Sequence, residues 1–149
     1  MKKRGNRPNR NDLVDAAVLE VHGLVHDQGW LADRALEGAL RRQRQLWASE
    51  RRAVAEAVYG ITRWQAQLDW LLGADGGRGP DLATRYAAWL VRFGGVSARD
   101  AARRVGVAPA ALAPVADAAE ADARVAALAD PVERLALGES LPRWIAERF

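Results

Sequence analysis

Cysteine is absent from all 149 residues. That single absence excludes disulfides, thiolate nucleophiles and cysteine-ligated metals together. Histidine occurs only as His22 and His26. Their spacing of four places two ligands on one helical face, but no third ligand of suitable character lies close in sequence. Surface or half-buried histidines are therefore expected, and no metal site. No apolar run approaches the roughly 20 residues that a transmembrane helix needs. The basic N-terminus leads into no signal-peptide core. A soluble, cytoplasmic protein with no membrane partner is expected.

Motifs that carry chemistry are missing too. There is no G-x-x-x-x-G-K-[ST] sequence, and the run Gly73 to Gly79 precedes a helix without following a strand. The carboxylates are scattered among alanines and arginines with no sign of a buried pair, and nothing supports a Ser/His/Asp triad. The chain alone is not expected to be an enzyme. It has no catalytic residue to assign and no cofactor of its own.

What is present is helical periodicity, and no convincing β-strand. In Ser49 to Leu72, residues Val54, Ala57, Val58, Ile61, Trp64, Leu68, Leu71 and Leu72 share one broad face. Arg52, Glu56, Tyr59, Arg63, Gln67 and Trp70 share the other. So wide an apolar stripe calls for other helices to bury it, which makes this the central helix of an all-α domain. Tyr59 and Trp70 among arginines form either an RNA-stacking face or the packing surface for further helices. Gly60 costs about 1 kcal/mol against Ala inside a helix, which points to a close helix crossing.

The other elements follow in order. Asn11 or Asp12 can cap a helix to about Gln28, with Leu13, Ala16, Ala17, Val21, Leu24 and Val25 inward. Leu31 to Leu46 continues helical, closed by Arg41, Arg42 and Arg44. Asp81 to Phe93 follows, with Leu82, Tyr86, Trp89, Leu90 and Phe93 inward. Ser97 and Asp100 form a capping box for a helix to Val105. A further helix spans Pro109 to about Leu128. It gives a superficial helix-turn-helix, but its start offers Ala, Pro and Asp and almost no donors for base edges. Asp130-Pro131 with Glu133 opens a helix that Gly138 stops, and Ser140 caps the last segment.

Net charge is +3 but graded: residues 1–80 carry 13 Lys/Arg against 10 Asp/Glu, residues 81–109 carry 5 against 2, and residues 110–149 carry 4 against 7. A basic front suggests an anionic partner such as nucleic acid. Residues 1–10 hold Lys2, Lys3, Arg4, Arg7 and Arg10 with no acid; they are either an RNA-contacting arm or a solubilising tail. If the helices around the Trp47–Ser49 turn are antiparallel neighbours, Arg41, Arg42, Arg44, Arg51 and Arg52 form one phosphate-contacting patch. Arg63, on the second face of the central helix, completes the candidate RNA-binding set.

Three stretches resemble one family. Val58, Tyr59, Gly60, Arg63, Leu68, Asp69, Trp70 and Leu71 match a V-Y-G-x-x-R core followed by L-D-W-L. That pattern resembles the middle helix of the N-terminal domain in the RsmB/Sun/NOP family of RNA (cytosine-5) methyltransferases. Upstream, residues 16–40 resemble the family's opening helix pair through Gly29, Ala32 and Leu36. Downstream, Ser140, Pro142, Trp144 and Ile145 resemble the S-x-P-x-W-[LI] segment that introduces the catalytic half. The resemblance implies a NusB-like bundle of about seven helices over residues 11–138, after a basic arm at 1–10. Residues 139–149 would begin the connection to a methyltransferase domain using S-adenosylmethionine. The chain ends mid-pattern on Phe149, as expected of a fragment. Residues 95–129 depart from the family, which usually has an N-x-x-L-R helix there.

Three functions follow. The leading one is a non-catalytic domain that binds and positions RNA, ribosomal RNA foremost, for the methyltransferase domain. The second is a free-standing NusB-like transcription antitermination factor. The third is a structural brace without RNA affinity.

Overall fold

The computed structural model describes residues 9–73 and 79–148. Among them there are helices and turns but no strand, so the all-α class read from periodicity holds. Residues Met1–Tyr59 and Gly60–Phe149 form two compact units. The long helix α3, Ala48–Leu71, contributes to both.

The first unit pairs α1, Arg10–Gln28, with α2, Ala32–Arg42. Asn9, rather than the predicted Asn11 or Asp12, caps α1: its side-chain oxygen accepts the Asn11 N–H at 3.1 Å. Gly29 ends the helix in the left-handed region, with φ 69°, where a Cβ would be strained. The buried face of α1 is Val14, Asp15, Ala17, Val18, Val21 and His22. The predicted face was only partly right. Ala16 is exposed, while Leu13, Leu24 and Val25 are half-buried. Polarity places Asp15 and His22 outside, whereas the fold takes them in. No buried side-chain nitrogen or oxygen among the described residues lacks a hydrogen-bond partner, so such groups are tolerated inside. His22 is thus buried, contrary to expectation, and its ring lies 5.7 Å from that of the exposed His26.

Helix α2 stops at Arg42, four residues before the predicted end at Leu46. Gln43 leaves helical geometry, and residues 43–47 turn directly into α3. Leu46 is buried in that turn.

In the second unit, α4 (Leu82–Arg92) is the helix closed in on all sides: Arg85 to Leu90 are six consecutive buried residues. Asp81 caps it by accepting the Thr84 N–H at 2.7 Å. That hydrogen bond also holds the Asp81 carboxyl below its ordinary pKa. Arg85 can be buried because Asp69 of α3 grips it in a fork, Nε to Oδ1 at 2.7 Å and Nη2 to Oδ2 at 3.1 Å. Gly60 meets α4 directly: a Cβ there would lie 2.4 Å from the Trp89 Nε1. The close crossing read from Gly60 is present. Phe93, predicted inward, is 40% exposed and stacks on Trp64 at 4.9 Å, while Leu82 is half-buried.

Ser97 caps α5, Ala98–Val105, through the Asp100 N–H at 3.1 Å, as predicted. The single helix predicted over 109–128 is instead a 3-10 turn at Pro109–Leu112, then α6 (Ala113–Ala116) and α7 (Ala118–Ala126). Two local preferences break it. Pro114 cannot donate to the ladder, and Asp117 adopts extended geometry to cap α7 at the Glu120 N–H, 3.1 Å away. Leu112, Val115, Ala121 and Val125 are the residues these short pieces bury. Asp130 caps α8, Pro131–Gly138, by accepting the Val132 N–H. Finally, α9 is only Arg143–Ala146. Ser140 does not cap it. With φ 53° it lies in the left-handed region, and its hydroxyl donates to the Arg63 carbonyl. The described residues therefore hold nine helices, against about seven implied.

Candidate nucleic-acid interface

The basic residues divide into committed and available ones. Arg10 is committed. Its Nε donates to Glu50 Oε2 at 2.9 Å, and its Nη2 donates to Glu50 Oε1 and to the Gln45 carbonyl. Its guanidinium lies 4.0 Å from the centre of the Trp47 ring. Glu50 also accepts the Trp47 N–H at 2.7 Å. Arg10, above all, and the Trp47 N–H hold the Glu50 carboxyl below its ordinary pKa, against desolvation. Arg51 is committed as well. It is half-buried and donates to the Leu46 and Gln43 carbonyls at 3.3 and 3.2 Å. Both arginines hold the 43–47 turn in shape.

Arg41 and Arg42 are exposed and carry acidic partners, Glu37 at 2.6 Å and Glu20 respectively. Exposed pairs of this kind are worth about 1 kcal/mol or less, so a phosphate can replace the carboxylate. Arg44 and Arg52 are exposed and make no ion pair or hydrogen bond with another described side chain or carbonyl. Of the five arginines expected to share a patch, then, two are available, two are exchangeable and one is structural. Lys2, Lys3, Arg4 and Arg7 lie outside the described residues. Arg63 belongs to the second unit, where its exposed guanidinium lies 5.2 Å from the Trp64 ring centre.

The two aromatics of the second α3 face separate in behaviour. Tyr59 is 45% exposed. Its hydroxyl donates to Asp33, whose carboxylate pushes the phenol above its ordinary pKa. Trp70 is half-buried, with the Arg124 guanidinium 5.2 Å from its ring centre. Sequence reasoning missed Trp47. At 62% exposure it is the most exposed aromatic among the described residues. The only signal for it was its place in a turn between clusters of arginine.

In the second unit a cleft of about 720 Å³ is lined by Gln67, Asp122, Arg134, Leu135, Glu139 and Glu147, among others. Several of its polar groups are engaged by neighbouring side chains. Gln67 lies between the Leu137 carbonyl and Arg92, Asp122 pairs with Arg92, and Glu147 pairs with Arg143. Three carboxylates in the lining disfavour a phosphate there. No group of three or more His, Asp or Glu able to hold a metal ion occurs among the described residues. No described helix is long and apolar enough to cross a membrane.

No protein-family model, curated protein or solved structure matches this chain.

Proposed function

We propose that this chain is a non-catalytic RNA-binding domain. In this reading it positions ribosomal RNA for a cytosine-5 methyltransferase domain that uses S-adenosylmethionine elsewhere in a longer cytoplasmic protein. The observation that carries the RNA part is the pair Arg44 and Arg52. They are exposed cations without an acidic partner among the described residues, one within and one shortly after a turn that other arginines hold in shape. The parent methyltransferase rests on the resemblance of the V-Y-G-x-x-R and L-D-W-L residues.

Phosphate binding through a few arginines releases counterions, so affinity falls steeply with salt. The test is salt-dependent binding to a structured ribosomal-RNA fragment, beside duplex DNA of equal charge. RNA should win. Arg44→Glu with Arg52→Glu should weaken binding and flatten the salt dependence by about one unit of slope per lost contact. Unchanged binding in that variant sinks the reading. A second reading, a structural brace without RNA affinity, is favoured by the committed state of Arg10 and Arg51. It is the outcome if no RNA binds at low salt.

A further inference from the structure

Trp47 is a costly residue to leave in water. An indole is among the largest apolar groups in a protein and is usually well covered. Here 62% of the residue is exposed, on a segment that is anything but loose. The Trp47 N–H donates to Glu50 at 2.7 Å, and its carbonyl accepts the Arg51 N–H at 2.9 Å. The preceding carbonyls of Gln43, Gln45 and Leu46 accept from Arg51 and Arg10. Leu46 itself is buried. The Arg10 guanidinium covers one face of the indole at 4.0 Å, and Glu50 fixes that guanidinium in turn. One face is capped by a held cation, and the indole is still mostly exposed.

The other exposed tryptophans are not built this way. Trp144 lies within the four-residue helix α9, with the Arg148 guanidinium 5.7 Å from its ring centre. Trp30 is 48% exposed, with no cation of the described residues over its ring. Only Trp47 among the described tryptophans combines rigidity, exposure and a close cation.

We infer that Trp47 is a stacking platform for one unpaired nucleobase of single-stranded RNA, received on the indole face opposite Arg10. The inference rests on the RNA-binding reading and gives it a ligand class: an unpaired base rather than duplex. Every base has a π-face, so the platform tolerates sequence. Because the turn is already ordered, little conformational freedom is lost when a base settles on it. Arg44, three residues before, and Arg52, five after, supply cations for the flanking phosphates. Arg10 does not. It is spent on Glu50 and Gln45 and serves as the lower layer of the stack.

The experiment compares two oligomers of equal length and charge, oligoriboadenylate and an abasic ribose-phosphate chain, binding to the full chain. The platform predicts that adenylate binds roughly tenfold to a hundredfold tighter, the size of one base–aromatic stack. Trp47→Ala should bring that ratio towards one while leaving the abasic affinity unchanged. Trp47→Phe should keep much of it. Arg44→Ala should lower both affinities in parallel. Equal affinity of the two oligomers for the wild type, or a ratio that survives Trp47→Ala, overturns the platform while leaving RNA binding intact. Failure of both oligomers and of structured RNA to bind overturns the platform and the RNA-binding reading together. A self-association that Trp47→Ala abolishes and RNA does not compete with overturns it in favour of a second copy of this chain.

Discussion

Replacing Gly60 by alanine sets two known effects against each other. Intrinsic helix propensity favours the change by about 1 kcal/mol. Packing opposes it: the new Cβ would lie 2.4 Å from Trp89 Nε1, 2.7 Å from Cε2 and 2.8 Å from Cζ2. Contacts below about 3.4 Å already displace a neighbour, so the indole must retreat by roughly an ångström. It has little freedom to do so. Trp89 is 8% exposed and sits in the fully buried stretch of α4, where overpacking costs about 1–3 kcal/mol. With three atoms in conflict the upper end applies, and the net expectation is a loss of about 2 kcal/mol. In urea that is a midpoint lower by about 1 M, with the slope unchanged. A double-mutant cycle with Trp89→Phe isolates the cause. Removing the indole's pyrrole edge should recover about 1–2 kcal/mol of the Gly60→Ala penalty, beyond what the separate effects predict. A Gly60→Ala variant as stable as the wild type, or more so, refutes the close crossing. A penalty with no coupling to Trp89 shows that some other contact requires glycine.

Asp69→Ala should destabilise by about 3 kcal/mol, because it strands a buried guanidinium without its carboxylate; Arg85→Met in the same chain should restore part of that, and chemical denaturation reads both. Glu50→Gln bears on pH. The folded-state pKa of Glu50 is depressed, chiefly by Arg10, so its contribution is present above the unfolded-state value and lost as pH falls through the folded-state value. The stability gap between wild type and Glu50→Gln should therefore be flat near neutrality and close in acid; a gap that widens in acid contradicts the assignment. Ser97→Ala and Asp117→Ala each remove a cap and should cost about 1 kcal/mol, read by thermal melts. Loss of either without effect would show that the cap is redundant.

Sequence periodicity located the strong elements because they depend on local signals. The α5 cap Ser97 and the α8 cap Asp130 act within three residues of themselves, and both were legible. Misplacements came where tertiary structure overrode local preference. Asp15 and His22 look like solvent residues until the fold supplies partners. Arg85 and Arg92 look like surface charge, yet one is gripped by Asp69 and the other by Gln67 and Asp122. The break at Asp117 had its signal, an acid three residues before Glu120 after a proline, but alanine-rich flanks masked it. In the candidate interface the arginines were found and their state was not. Charge is visible in sequence, whereas an acid 40 residues away from Arg10 is not.

Most residues of the V-Y-G-x-x-R and L-D-W-L pattern are ones the structure employs in packing. Val58, Leu68 and Leu71 are buried, Gly60 admits Trp89, Asp69 grips Arg85, and the Arg63 carbonyl receives Ser140. A pattern so engaged constrains how helices cross, and it would persist in a bundle that bound no RNA at all. The case for RNA must therefore stand on residues outside the pattern, and Arg44, Trp47 and Arg52 are outside it. They share the first unit, the 43–52 region and a hydrogen-bonded backbone, and none of the three side chains donates to an acid among the described residues. Fold and the proposed RNA contact thus fall to separate residues of this chain. Substituting Trp47, Arg44 or Arg52 should weaken RNA binding without loss of stability, whereas substituting Gly60 or Asp69 should destabilise the second unit whatever the chain binds.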